Sequence, residues 1–168
     1  RTKHIFGTDD LSHPGVQNTI ERLGTRAVCG EYELLNTKVN QNKINKEVIE
    51  AAKRTTNAKH TSALILGANP LHRAHERLIR QAIDTTDLLI IFLLKPYEET
   101  NLNYELRYET LEFFVNNFLP KNRVVIVPLE KSYIFAGYNE LIVNAIVAKN
   151  YGCDRLTISR DHAGLGIF

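Results

Sequence analysis

The chain has 168 residues, of which 43% are hydrophobic and 24% charged, with a formal net charge of +2. That composition supports one sizeable buried core and excludes disorder along the whole length. The small net charge, with no extended basic run, gives no footing for a nucleic-acid or membrane partner, and the longest apolar run, residues 88–94, is far shorter than a bilayer span.

Cys29 and Cys153 are the only cysteines. They lie far apart and neither has a histidine companion at metal-ligand spacing, so neither a zinc site nor a disulfide scaffold is expected. A reducing cytoplasm is the expected compartment. No signal-peptide pattern opens the chain. It begins with Arg1 and stops soon after a glycine-rich stretch, which suggests an excerpt of a longer protein.

In chain order, residues 1–39 hold short extended candidates at 26–29 and 31–39, with turn punctuation at Ser12-His13-Pro14-Gly15 and at Gly30. This reads as part of a β-rich domain. Residues 40–60 are polar, and their pattern predicts a helix over 45–56 that serves as a connector. From Thr61 onward apolar strands are expected at 62–66, 88–94, 123–127 and 155–159, alternating with helices at 70–84, 104–118 and 138–151. Continuous apolar strands joined by helical crossovers predict a Rossmann-like, doubly wound parallel α/β sheet covered on both faces. In the common order 3-2-1-4-5 the first and fourth strands are neighbours.

Two segments then fall at one end of that sheet. NPLHRAHE (69–76) follows the first strand, and RDHAGLG (160–166) follows the fourth. Gly67 breaks the first strand, Asn69-Pro70 reads as a cap followed by a first-turn proline, and His72 and His75 then share one side of the helix start. Unpaired amides at a helix N-terminus and the positive end of its dipole attract anions, and imidazoles add hydrogen bonds or charge. A phosphate suits that corner. Each residue also has a plainer reading: Asn69 as a simple cap, His72 and His75 as surface or packed histidines, Arg160 and Asp161 as a solvated ion pair, Gly164 and Gly166 as turn residues. Arg107 and Lys149 can assist phosphates or stand as helix-surface charges. Tyr133 and Phe135 can wall a nucleotide base or belong to the core.

Taken together, NPLHRAHE, FAGYNELIVNAIVAKNYGCD (135–154) and SRDHAGLG (159–166) resemble the ATP sulfurylase family, whose stretches read QTRNPxHRAHE, YAGPREAxxHAIxRKNYGxT and GRDHAGxG. The early HPGV (13–16) resembles the end of that family's PUA-like domain. The resemblance implies a PUA-like remnant over 1–39, a helical connector over 40–60 and a nucleotidyltransferase catalytic domain over 61–168, incomplete at its C-terminus. It implies transfer of AMP from ATP, with magnesium, to sulfate, giving adenosine 5'-phosphosulfate and pyrophosphate. Asn69, His72 and His75 would hold ATP phosphates beside Gly67 and Ala68. Ser159, Arg160, Asp161, His162, Ala163 and Gly164 would wrap the nucleotide, and the backbone at Ala163 would also meet sulfate. Identical copies of the chain can associate in such a protein.

The chain also departs from the family pattern. Leu66 and Ala68 stand where the family has the glutamine and arginine that contact sulfate and ATP, Ile134 and Asn139 replace two further arginines, and Ser159 replaces a glycine. Losing charge-assisted hydrogen bonds worth roughly 1.5 to 3 kcal/mol each predicts weak sulfate binding. Two alternatives therefore accompany the sulfurylase reading: a nucleotidyltransferase with a different acceptor, and a catalytically degenerate ATP-binding paralogue.

Overall fold

The structure is a computed structural model that describes residues 2–23, 26, 28–31, 33, 41–95, 102–130 and 136–159. Its centre is a four-stranded sheet of β1 (Thr61–Leu66), β2 (Leu88–Lys95), β3 (Val124–Glu130) and β4 (Arg155–Thr157), in the order β3-β2-β1-β4 and parallel throughout. All six residues of β1 are buried, as are seven of the eight in β2. A strand hidden on both faces needs apolar side chains at every position, and the TSALIL and LLIIFLLK runs supply nearly that.

Strand alternation sorts these side chains onto two faces. Ala63, Ile65, Leu88, Ile90 and Phe92 pack on one side with Ile49 from α3 (Gln41–Thr56) and Ala148 from α6 (Tyr138–Asn150). Leu64, Leu66, Leu89, Ile91 and Leu93 pack on the other with Ile79, Ala82 and Ile83 from α4 (Arg73–Asp84) and with Leu111 and Phe114 from α5 (Tyr104–Phe118). The result is three layers, helices over both faces of the sheet, as expected of the α/β class.

Several local expectations need correction. The helix expected over 45–56 begins at Gln41, and it is no mere connector: Ile49 is completely buried in the core and the Asn45 amide donates to the Pro128 carbonyl at 2.7 Å. The helix expected from Pro70 starts at Arg73, because Asn69 and Pro70 form a turn after the positive φ of Ala68 and His72 is still extended. The fourth strand stops at Thr157 rather than at 159, and the third runs on to Glu130. The β-rich expectation for 1–39, and the PUA-like one with it, finds no strand among the described residues. Instead α1 (Thr2–Phe6), α2 (Pro14–Asn18) and a π-helical turn (Thr19–Leu23) occupy its start, while most of 31–39 lies outside the described residues.

The last helix carries its chemistry inside out. Glu140, Asn144 and Ala148 face inward at helical spacing, whereas Tyr138, Ile142 and Ile146 are exposed. The buried carboxylate accepts a hydrogen bond from the Ala136 amide at 3.2 Å, which ties the start of α6 to the chain before it.

Candidate functional site

The first and fourth strands pair in parallel, Ser62 opposite Arg155 and Leu64 opposite Thr157. Both therefore end at the same side of the sheet, and the segments that follow them leave from adjacent positions. In open parallel sheets ligands bind outside the carboxyl ends of the strands, where the strand order reverses. Here that point lies between β1 and β4, since α4 and α5 cover one face while α6, leading into β4, covers the other.

From β1 the chain passes through Gly67 into Ala68, whose φ of +46° turns it sharply, and then through the exposed Asn69-Pro70 turn. His72, with φ −146° and ψ 171°, is the cap residue of α4, and its side chain makes no capping hydrogen bond. The first-turn amides thus receive no acceptor from the cap, leaving donors and the positive dipole end for an anion. His75 sits one turn on. The two imidazoles stack with centroids 3.8 Å apart and planes inclined by 29°. His72 is exposed; His75 is half-buried, and its Nδ1 is buried without a hydrogen-bond partner. Burial, and then the neighbouring His72, hold the His75 imidazole below its ordinary pKa, so its neutral form is favoured.

Arg107 of α5 reaches the same turn. Its side chain is 4% exposed, and one guanidinium nitrogen donates to the Gly67 carbonyl at 2.7 Å. Tyr104, one turn earlier, stacks beneath that cation at 5.9 Å and also meets the Lys95 ammonium at 5.2 Å. The Tyr104 hydroxyl is buried without a partner, and burial pushes its pKa up to about 12. At the other end of the sheet, Asp87 accepts from the amides of Lys59 and His60, and Asp154 accepts from the Thr61 amide and meets His60 Nδ1 at 2.9 Å. These carboxylates fix the start of β1 and stand away from the site. Among the described residues no three His, Cys, Asp or Glu side chains come together to hold a metal ion, and no helix is long and apolar enough to cross a membrane.

A family model described as ATP-sulfurylase matches residues 40–168. The chain belongs to the ATP-sulfurylase family. It is 32% identical over 168 residues to a sulfate adenylyltransferase of Synechocystis sp., covering 98% of this chain and 43% of that protein. A second sulfate adenylyltransferase, from Persephonella marina, is 31% identical over 170 residues, covering 98% and 44%. The chain thus spans less than half the length of these relatives. Among solved structures, a bifunctional NMN adenylyltransferase/ADP ribose pyrophosphatase of Francisella tularensis, complexed with AMP and a manganese ion, aligns with a TM-score of 0.41 at 21% identity, over 54% of this chain and 29% of that one.

Of the residues expected at an ATP-sulfurylase site, Gly67, Ala68, Asn69 and His72 lie on the turn after β1, and His75 follows in the first turn of α4. Ser159 lies two residues past the end of β4, and Arg160, Asp161, His162, Ala163 and Gly164 lie outside the described residues, as do Tyr133, Ile134 and Phe135. Ala68 is 2% exposed, so its side chain belongs to the core, and any contact it offers a ligand is through the backbone. Leu66 is likewise a core residue on the α4/α5 side. Asn139 donates from its side chain to the Ile5 carbonyl at 2.7 Å, joining the start of α6 to α1. Lys149 is exposed, in keeping with a surface charge, whereas Arg107 is not one. Its position four and seven residues before Leu111 and Phe114 puts a cation on the buried stripe of a helix, and that spacing is the signal the sequence offers for it.

Proposed function

We propose that this chain carries the nucleotide-holding part of a cytoplasmic sulfate adenylyltransferase-type enzyme, with residues 61–168 as its nucleotidyltransferase domain. The observation that carries this reading is the parallel pairing of β1 with β4, which sets the NPLHRAHE turn beside the end of the strand that precedes RDHAGLG in the sequence. In this reading the β- and γ-phosphates of ATP lie against the first-turn amides of α4. Asn69, His72 and His75 donate hydrogen bonds to phosphate oxygens, and Ser159, Arg160, Asp161, His162, Ala163 and Gly164 are the further nucleotide-binding residues. An acceptor oxygen attacks the α-phosphorus, a new oxygen–phosphorus bond forms, and the bond to the bridging oxygen breaks, its electron pair leaving with pyrophosphate. Such a displacement depends on alignment and on stabilising the charge gathered on the leaving group, which these donors supply. Magnesium would travel with the ATP phosphates and neutralise their charge; among the described residues no three His, Cys, Asp or Glu side chains gather to hold it by themselves.

The apolar Leu66 and Ala68 favour a second reading of the acceptor, a nucleotidyltransferase that uses a less charged molecule than sulfate. Exchange of labelled pyrophosphate into ATP, measured with sulfate, with a panel of other small acceptors and with none, separates the possibilities. Sulfate-dependent exchange supports the sulfurylase reading, and exchange with another acceptor supports the second. ATP binding without exchange marks a binding protein, and absence of ATP binding defeats both readings.

A further inference from the structure

We propose that Arg107 is a positioning residue of the nucleotide site, holding the turn after β1 through the Gly67 carbonyl so that the turn's amides and the following histidines meet phosphate in one fixed arrangement. The inference rests on the nucleotide-binding reading above. The bond spans forty residues of sequence and joins α5 to the first residue after β1. Buried guanidinium groups are rare and expensive to desolvate, so one that spends a donor on a backbone carbonyl has that carbonyl's position under its control. The carbonyl belongs to the peptide between Gly67 and Ala68. Ala68 takes the positive φ at which the chain turns, so the orientation of that peptide sets the direction of Asn69, Pro70 and the approach to His72.

The guanidinium sits on a packed helix face. Tyr104 lies under it, Leu111 and Phe114 continue the same buried face, and the Asn103 side chain caps α5 by accepting from the Leu106 amide at 2.8 Å. Without Arg107, Gly67 would have no such tie. A glycine next to a residue of positive φ has several accessible peptide orientations, and the site would have to select one of them when ATP binds. Misplacement of about 1 Å in such a site can lower rate or affinity by about 10²-fold.

The test compares Arg107→Lys and Arg107→Met with the unaltered chain, using ATP titration by calorimetry and amide hydrogen exchange without ligand. The expected result is ATP affinity weakened about tenfold or more by Met and less by Lys. Exchange should be faster at Gly67, Ala68 and Asn69, while the central amides of β2 keep their protection. Equal ATP affinity in all three chains overturns the inference and leaves the nucleotide reading standing. Loss of protection in β2 as large as that in the turn also overturns it, because Arg107 is then a core residue with no special hold on the turn. Failure of both variants to fold overturns it for the same reason. Failure of the unaltered chain to bind ATP removes the nucleotide reading and this inference with it.

Discussion

His72 and His75 stack their rings at 3.8 Å across the start of α4, yet they differ in exposure: the first is open to solvent and the second is half-buried with an unpartnered Nδ1. Burial, and then the neighbouring His72, hold the His75 imidazole below its ordinary pKa.

A pH dependence of stability follows. The His75 pKa is lowered in the folded chain, so between its folded value and the ordinary imidazole value of about 6.5 the unfolded chain binds more protons. Stability is then lost as pH falls below about 6.5, and the loss levels off beneath the folded value. The melting temperature should fall on acidification more in the unaltered chain than in His75→Gln. Identical acid profiles would show that His75 titrates as a free imidazole. Bound phosphate acts in the opposite sense, so ATP affinity should strengthen over the same window.

Because His72 is exposed and lends its side chain to no cap, it can be removed with little harm to the fold. His72→Ala is expected to change stability by less than about 0.5 kcal/mol and to weaken ATP binding by about 1 to 3 kcal/mol. Calorimetric titration and a thermal melt on the same sample check this. A lowered melting temperature with unchanged ATP affinity would make His72 a packing residue.

The role of α3 can be measured directly. Ile49 is fully buried in the same apolar cluster as Ala63, Ile65 and Phe92, so Ile49→Ala should cost about 2 to 5 kcal/mol, read as a shift in the denaturant midpoint. A helix that merely linked two units would lose far less, and a cost below about 0.5 kcal/mol would show that residues 41–56 are dispensable to the sheet.

Much of this architecture is written in the sequence, and the exceptions have identifiable causes. The short apolar runs TSALIL and LLIIFLLK, bounded by polar residues, read as strands hidden on both faces, and once helices separate four strands the handedness of crossovers leaves few orders open. That is enough to bring the two motif-bearing strand ends together. The start of α4 is harder to place because Asn-Pro is a good helix opening in general, whereas the backbone turn at Ala68 spends both residues before the helix begins. The inward face of α6 is not legible because its code is reversed. Glu140 and Asn144 point in, and the apolar Ile142 and Ile146 point out, so periodicity identifies the helix while hydrophobicity misleads about its face. Arg107 is hidden for the same reason: a charge is ordinarily a surface residue, and only its spacing to Leu111 and Phe114 says otherwise.

The sharpest prediction concerns the acceptor. At the positions where the ATP-sulfurylase pattern has glutamine and arginine, this chain has Leu66 and Ala68, 5% and 2% exposed and packed with Ile79, Leu111 and Phe114. Neither offers a side-chain donor to a tetrahedral dianion, and sulfate-dependent pyrophosphate exchange by the protein is expected to be weak. Restoring the pattern with Leu66→Gln and Ala68→Arg should raise exchange if those donors reach the site. The same change would also force an amide and a guanidinium into a sheet–helix core. A buried charge without a partner costs about 3 to 5 kcal/mol, so the double variant should melt well below the parent and has to be assayed cold, with folding verified in the same buffer. Improved exchange in a destabilised but folded variant would mean that the arginine leaves the core for the ligand. Strong sulfate-dependent exchange by the unaltered protein would sink the argument, since donors other than these two side chains would then be holding the anion.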